Sequence, residues 1–330
     1  MYLRFYGFQE MPFNVTPDPR FLFLTPGHRE ALAQLRYGVQ ERKGFIVLTG
    51  EVGTGKTTLL QTLLRKLDPG TAVAYVFDST LDFDQLLEYA LEDFGIAKSA
   101  DSRVQRLVAL NNFLVERHRA GQNTVLVLDE AQNLTPEVLE HIRLLSNFET
   151  ASEKLIQIVL VGQPELAEKL MLRELRQLRQ RVALRCSIRP LTPEETRDYI
   201  RTRIRIGGGN DPELFGERAI KRIAEYTGGV PRLVNIVCDH CLLIGYADQK
   251  RRVGPDIVEQ AIRYLDEGPQ GPPRRAGRFL GRMFPAMQQH PWALVAGLAV
   301  LVVAGGWVVA PDIVGRAFDA LRILGGQVLR

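Results

Sequence analysis

The run Gly50-Glu51-Val52-Gly53-Thr54-Gly55-Lys56-Thr57-Thr58 constrains this chain more than any other feature. It carries the G-x-x-x-x-G-K-[ST] spacing, in which glycines let backbone amides close around a phosphate and the helix that follows adds favourable partial charge. The motif requires a strand before it and a helix after it. The apolar run Phe45–Thr49 and the helical pattern Lys56–Leu67 meet both conditions. All nine residues are therefore expected around a nucleoside triphosphate. Lys56 supplies a point charge for the β- and γ-phosphates, and the Thr57 hydroxyl a ligand for Mg²⁺.

Four more short apolar runs read as strands: Ala72–Phe77, Val125–Leu128, Ile156–Val161 and Val182–Ile188. Several are apolar without a break, as strands covered on both faces should be. Helical patterns separate them, at Asp84–Phe94, Val104–Arg119, Pro136–Phe148 and Leu166–Leu178. The alternation predicts an α/β fold with a parallel sheet flanked by helices. Val125–Leu128 runs into Asp129-Glu130. Strand-end acids of this kind place Asp129 on Mg²⁺ and Glu130 where it orients or deprotonates an attacking water.

From Leu191 only helical patterns follow: Pro193–Ile206, Glu217–Tyr226, Pro231–Tyr246 and Pro255–Leu265. Thr192-Pro193-Glu194-Glu195 is a capping-box start, and Gly228-Gly229 a helix stop. The expected organisation is an ATPase core with its lead-in over residues 1–190, a helical lid over 191–267, a Pro/Gly/Arg linker over 268–291, a transmembrane helix over 292–311 and a short tail over 312–330. Met283 to Pro311 holds no Asp, Glu, Lys or Arg, and Trp292 and Trp307 lie near the ends of its apolar centre. Such a helix is about 30 Å long, close to the hydrocarbon thickness of a bilayer.

Charge follows the same division. Of a net +4, the seven Lys/Arg and two Asp/Glu from Pro269 onward carry +5, which leaves the body at −1. A near-neutral body argues against nucleic acid as a partner, and a basic tail beside an apolar run suits a membrane surface. Three cysteines do not make a disulfide framework, and Met1–Phe8 lacks the apolar run of a signal peptide.

Asp129-Glu130-Ala131-Gln132, taken with Gly50–Thr58, resembles the AAA+ ATPase domain of the general secretion pathway protein A family, with its pilus-associated and exosortase-associated relatives. Tyr6-Gly7-Phe8, Pro12-Phe13, Thr16-Pro17-Asp18-Pro19-Arg20-Phe21, His28-Arg29-Glu30-Ala31 and Gly162-Gln163-Pro164-Glu165-Leu166 carry the likeness from Met1 to Leu265. The resemblance implies an ATP hydrolase that assembles into a homo-oligomeric ring and serves inner-membrane export components. It implies a single-pass inner-membrane protein with a cytoplasmic ATPase domain. It further implies Gln163 as sensor 1, Arg232 as sensor 2, and an arginine finger donated to a neighbour. Arg181 is the first candidate for the finger and Arg179 the second, among Arg173, Arg176, Arg179, Arg181 and Arg185. Ser79 would be a polar switch on Glu130. Family members commonly continue into a periplasmic peptidoglycan-binding domain. About twenty residues follow Ala310, so direct cell-wall binding is not expected.

Two other functions compete: a DNA-linked transposition helper, which shares this core, and a scaffold switched by nucleotide without hydrolysis, against which Glu130 argues. Cys238-Asp239-His240-Cys241 sits in an apolar helical pattern with no second pair for zinc, so these cysteines read as small buried hydrophobes. Tyr2, Phe5, Tyr6 and Phe8 are equally suited to an adenine pocket or to aromatic core packing.

Overall fold

A computed structural model describes residues 2–16, 18–77, 80–96, 102–209, 211 and 213–267. The expected linker, transmembrane helix and tail (268–330) lie outside these residues, as does Ser79. Among the described residues no helix is long and apolar enough to cross a membrane.

In chain order the elements are α1 (Tyr2–Tyr6), α2 (Pro26–Gln40), β1 (Phe45–Gly50), α3 (Lys56–Lys66), β2 (Ala72–Val76), α4 (Phe83–Asp93), α5 (Arg103–Arg119), β3 (Thr124–Leu128), α6 (Pro136–Leu145), β4 (Gln157–Gly162), α7 (Pro164–Lys169), α8 (Arg176–Arg181), β5 (Val182–Ile188), α9 (Pro193–Ile206), α10 (Glu217–Thr227), α11 (Pro231–Ala247) and α12 (Pro255–Glu267).

The five strands form one parallel sheet in the order β2-β3-β4-β1-β5. Successive side chains on a strand point to opposite faces, and here both faces are covered. Ile46, Leu48, Val125, Val127, Val159 and Val161 share a core with α2 and α3. Phe45, Val47, Leu126, Leu128, Ile158 and Leu160 share another with α4 through α8. That is why these runs are apolar at every position. Val182–Ile188 differs from this expectation: it is an edge strand, with Ala183, Arg185 and Ser187 exposed.

The chain leaves β1 for the far edge, returns through β3 and β4, and then jumps across β1 to β5. The connections therefore diverge at the carboxyl ends of β1 and β4, and such a switch point opens a crevice for ligands. Gly50, Asp129 and Gln163 all lie at that end, on or just past β1, β3 and β4.

Leu166–Leu178 is not one helix. Leu166, Leu170, Leu175 and Leu178 are all buried, but Leu170 and Leu175 are five residues apart. A spacing of five turns the two side chains to different faces of a helix, so burying both requires a break. The chain supplies it with a 3₁₀ turn at Arg173–Leu175 between α7 and α8.

Helices α9 to α12 enclose their own core. Thr192 and Glu195 make both bonds of the predicted capping box at the start of α9. Gly228 and Gly229 both take positive φ after α10. The lead-in divides: α2 packs on the sheet as expected, while Tyr2, Phe8 and Phe13 join this helical core. The physical reason is aromatic fit: Phe13 meets Phe215 edge-on at 5.8 Å, and Phe23 meets Tyr199 at the same distance.

Candidate functional site: a phosphate loop under a helical lid

Gly50–Thr58 joins the end of β1 to the start of α3. Gly53 and Gly55 hold φ of 79° and 96°, values open to glycine and costly for other residues. Thr54 and Lys56 are buried. The Lys56 ammonium donates to the loop carbonyls of Gly50 at 2.8 Å and Glu51 at 3.1 Å. Burial lowers the Lys56 pKa, and the charges of Glu130 and Asp129 oppose that shift. Desolvation in a pocket with acids nearby is what a phosphate-seeking cation should experience.

The strand-end acids face this loop. Thr57 Oγ1 lies 3.5 Å from Asp129 Oδ2, so a hydroxyl and a carboxylate oxygen converge. Two hard oxygens, the Thr57 one bordering the cleft, suit Mg²⁺, which completes its shell from waters and substrate phosphates. Asp129 is itself held: Tyr75 donates its phenol to Oδ2 at 2.6 Å, and the Glu130 amide donates to Oδ1 at 2.9 Å. Burial first, then the Asp129 hydrogen bond and charge, push the Tyr75 pKa up, so the phenol stays a donor. Glu130 occupies the left-handed region (φ 50°, ψ 35°) and opens the short helical turn Ala131–Asn133. Its Oε2 accepts from Gln132 Nε2 at 2.6 Å and from Gln163 Nε2 at 3.2 Å.

The lid closes the other side. The Arg232 amide donates to the Gly53 carbonyl at 3.2 Å, at the start of α11. A cleft of about 480 Å³ results, lined by Val52–Thr58, Glu130, Pro231 and Arg232, with Asn14–Thr16 and Phe21–Phe23 from the lead-in. It exposes Lys56, Thr57 and Glu130 to one shared space.

Residues 39–170 match the AAA domain family. Over 254 residues the chain is 40% identical to general secretion pathway protein A of Aeromonas hydrophila, across 77% of this chain and 46% of that protein. This is an AAA+ protein related to general secretion pathway protein A. An uncharacterized HTH-type transcriptional regulator of Methanocaldococcus jannaschii is 26% identical over 145 residues, 43% of this chain and 35% of that one. The chain thus spans less than half the length of these curated relatives. Among solved structures, the fold is shared with Cdc6p from Pyrobaculum aerophilum (TM-score 0.61, 20% identity, 78% of this chain and 72% of that one). It is also shared with the ORC2 protein of Aeropyrum pernix (0.57, 18%, 77% and 72%).

In this AAA+ chain Lys56, Thr57, Asp129, Glu130, Gln163 and Arg232 gather at the carboxyl end of the sheet. Gln163 reaches Glu130, and its side chain does not line the cleft. The arginines stand elsewhere. Arg181 immediately precedes β5, whose first residue pairs with Phe45 while Ile188 pairs with Gly50. Parallel pairing therefore puts Arg181 about five strand residues, or ~17 Å, from its own phosphate loop. It donates to Ser146 Oγ at 2.6 Å, and Arg179 donates to the Met171 carbonyl at 3.4 Å.

The N-terminal aromatics pack in the lid. Tyr2 donates to Asp239 at 2.5 Å, and Tyr6 to the Lys250 carbonyl at 3.0 Å. Cys238 and Cys241 are buried in α11, and burial raises both thiols far above their usual range. Among the described residues no three His, Cys, Asp or Glu side chains cluster as a metal site.

Sequence reasoning missed three site residues. Tyr75 sits one position before the end of β2, beside Asp129, and only strand pairing reveals it. His28 links α2 to the phosphate loop: Nδ1 lies 2.7 Å from Thr25 Oγ1 and Nε2 3.1 Å from the Thr54 carbonyl. A carbonyl only accepts, so Nε2 carries the proton and Nδ1 receives the threonine hydroxyl. Arg203 is buried on α9, and it donates to the Pro12 carbonyl at 2.5 Å, to Tyr199 Oη at 2.8 Å and to the Asn14 carbonyl at 3.1 Å. Its guanidinium also lies 4.7 Å from the Phe21 ring centre, which fixes the lead-in wall of the cleft.

Proposed function

We propose that the chain binds ATP with Mg²⁺ and hydrolyses it, as a ring-forming ATPase that drives or regulates assembly of an export system and is tethered to the inner membrane by residues 292–311. One observation carries the enzymatic part: Lys56, Thr57 and Glu130 face one cleft between core and lid, and buried Asp129 stands behind Thr57 with its Oδ2 3.5 Å from the Thr57 hydroxyl.

In this reading the loop amides of Val52–Thr58 and Lys56 hold the phosphates. Thr57 and Asp129 hold Mg²⁺, which when bound neutralises charge on the β- and γ-phosphates. Glu130 orients a water and takes its proton as the water oxygen bonds to the γ-phosphorus. The bond from that phosphorus to the β–γ bridging oxygen breaks, releasing ADP and phosphate. Arg232 serves as the lid's sensor and Gln163 as the sensor at the end of β4. The distance of Arg181 from its own loop supports a finger given to a neighbouring copy, where such residues are worth about 10³–10⁵ in rate.

The role in export draws on the name of the 40% identical relative. The tether draws on the apolar composition of residues 292–311 and the four arginines, Arg274, Arg275, Arg278 and Arg282, before them. A cytoplasmic site follows from the location of ATP.

The deciding experiment is ATP turnover per chain against protein concentration, with the full chain in detergent micelles. A finger supplied in trans predicts a rate per chain that rises with concentration. A parent that fails to bind ATP-Mg²⁺, or Lys56→Ala binding it as tightly, overturns the reading. Turnover that starts only with duplex DNA present moves the chain to the transposition-helper class instead.

A further inference from the structure

Gln132 belongs to neither the phosphate loop nor the cleft lining, yet both ends of its amide are committed. Nε2 donates to Glu130 Oε2 at 2.6 Å, and Oε1 accepts the Gln163 backbone amide at 3.0 Å. One side chain thus joins the end of β3 to the end of β4, thirty-one residues away.

The backbone around it is built for this contact. A Cβ at Gly162 would stand 2.7 Å from Gln132 Oε1, so only glycine lets the amide lie against the end of β4. The Gln132 carbonyl is held by the Lys169 ammonium, which also donates to the Leu134 carbonyl at 2.8 Å. Glu130 takes an uncommon left-handed backbone, which directs its side chain toward this amide pair.

We propose that Gln132 is a positioning residue: it fixes the Glu130 carboxylate for the attacking water and locks it to the sensor end of β4. The inference rests on the hydrolytic reading of this site. Two neutral amides, from Gln132 and Gln163, grip the same carboxylate oxygen. Neutral donors orient a carboxylate without setting a charge beside it. Without Gln132 the longer Gln163 contact remains, and the Gln163 amide loses its acceptor. Gln132 stands outside the cleft lining, so its removal should act on the chemical step alone.

The test uses the full chain in detergent micelles, with ATP-Mg²⁺ as substrate. Gln132→Glu keeps the shape and the acceptor for Gln163 while setting an oxygen against Glu130 Oε2; Gln132→Ala removes both bonds. Each should lower kcat roughly 10- to 100-fold and leave KM and ATP affinity within about twofold. Gly162→Ala, which crowds the Gln132 amide, should reproduce the loss of kcat. In a Glu130→Gln background, adding Gln132→Ala should lower turnover no further, because the two residues act as one unit.

Unchanged kcat in both Gln132 variants overturns the proposal while the hydrolytic reading stands. So does a matched fall in ATP affinity and melting temperature, or a full additive loss in the Glu130→Gln background. A parent chain that binds ATP without hydrolysing it overturns the hydrolytic reading, and this proposal with it.

Discussion

Gly53 of the phosphate loop lies directly against Arg232 of the lid: a Cβ at Gly53 would come within 2.5 Å of the Arg232 Cβ, and the Arg232 amide already donates to the Gly53 carbonyl at 3.2 Å. With φ at 79°, Gly53 meets two constraints at once, one on its backbone and one on its neighbour. Gly53→Ala should therefore cost about 1–2 kcal/mol in stability from the backbone alone. It should also push α11 off the loop and weaken ATP at least ~10-fold, since ~1.4 kcal/mol of lost contact is a tenfold change. Thermal melting and fluorescent-nucleotide titration read the two effects separately.

Lys56 and Glu130 should divide binding from chemistry. Lys56→Ala removes the buried charge and should abolish measurable ATP affinity. Glu130→Gln keeps the shape of the site and should bind ATP normally while turnover falls roughly 10²–10⁴-fold, the range for losing a general base. Isothermal titration and phosphate release measure the split. Equal turnover in Glu130→Gln and parent would leave nucleotide as a switch only.

Arg203 should matter more for the lead-in than for the lid surface. Arg203→Met keeps much of the side chain's bulk but strands the buried Pro12 carbonyl, while the Asn14 carbonyl keeps only the longer bond from Asn235 Nδ2 at 3.5 Å. An unsatisfied buried acceptor costs about 1–3 kcal/mol, and a loss of that size is expected. Proteolysis should then begin in the segment 9–24. A melting temperature equal to the parent's would deny the guanidinium this role.

His28 should give the fold an acid-sensitive contact. Burial lowers its pKa below the ordinary imidazole value of 6.5. The unfolded chain therefore takes up a proton near 6.5 and the folded chain only at lower pH. Between those points the unfolded state binds more protons, so this stability is complete above about pH 6.5 and declines as pH falls toward the folded pKa. His28→Gln should melt lower at pH 7.5 and lose less between pH 7.5 and 5.5 than the parent does. Parallel pH profiles for the two proteins would contradict it.

What could be read from the sequence was local in the chain. Gly50–Thr58 carries its chemistry in nine consecutive residues, and Asp129-Glu130 announce themselves at the end of an apolar run. The strands were legible because both sheet faces are covered, which removes polar alternation. The role of Gln132 was not, because its amide finds room only where Gly162 lacks a Cβ, a property of shape that no spacing encodes. Arg203 sits in Arg201-Thr202-Arg203-Ile204-Arg205, where any arginine reads as a solvated helix face. Only tertiary packing shows that this one is buried beneath the lead-in. The break in Leu166–Leu178 was present in the five-residue gap between Leu170 and Leu175, a count that a helical template passes over.

Tyr2, Phe8 and Phe13 lie in the core of α9–α12, while α2 lies on the sheet. Two covalent straps therefore cross from one body to the other, one through residues 14–25 and one through 189–192. A body hung from a single strap can swivel in any direction. One hung from two can swing only about the line that joins them, and here one of the two straps also carries Asn14–Thr16 and Phe21–Phe23 of the cleft wall, so the part that limits the swing also lines the site.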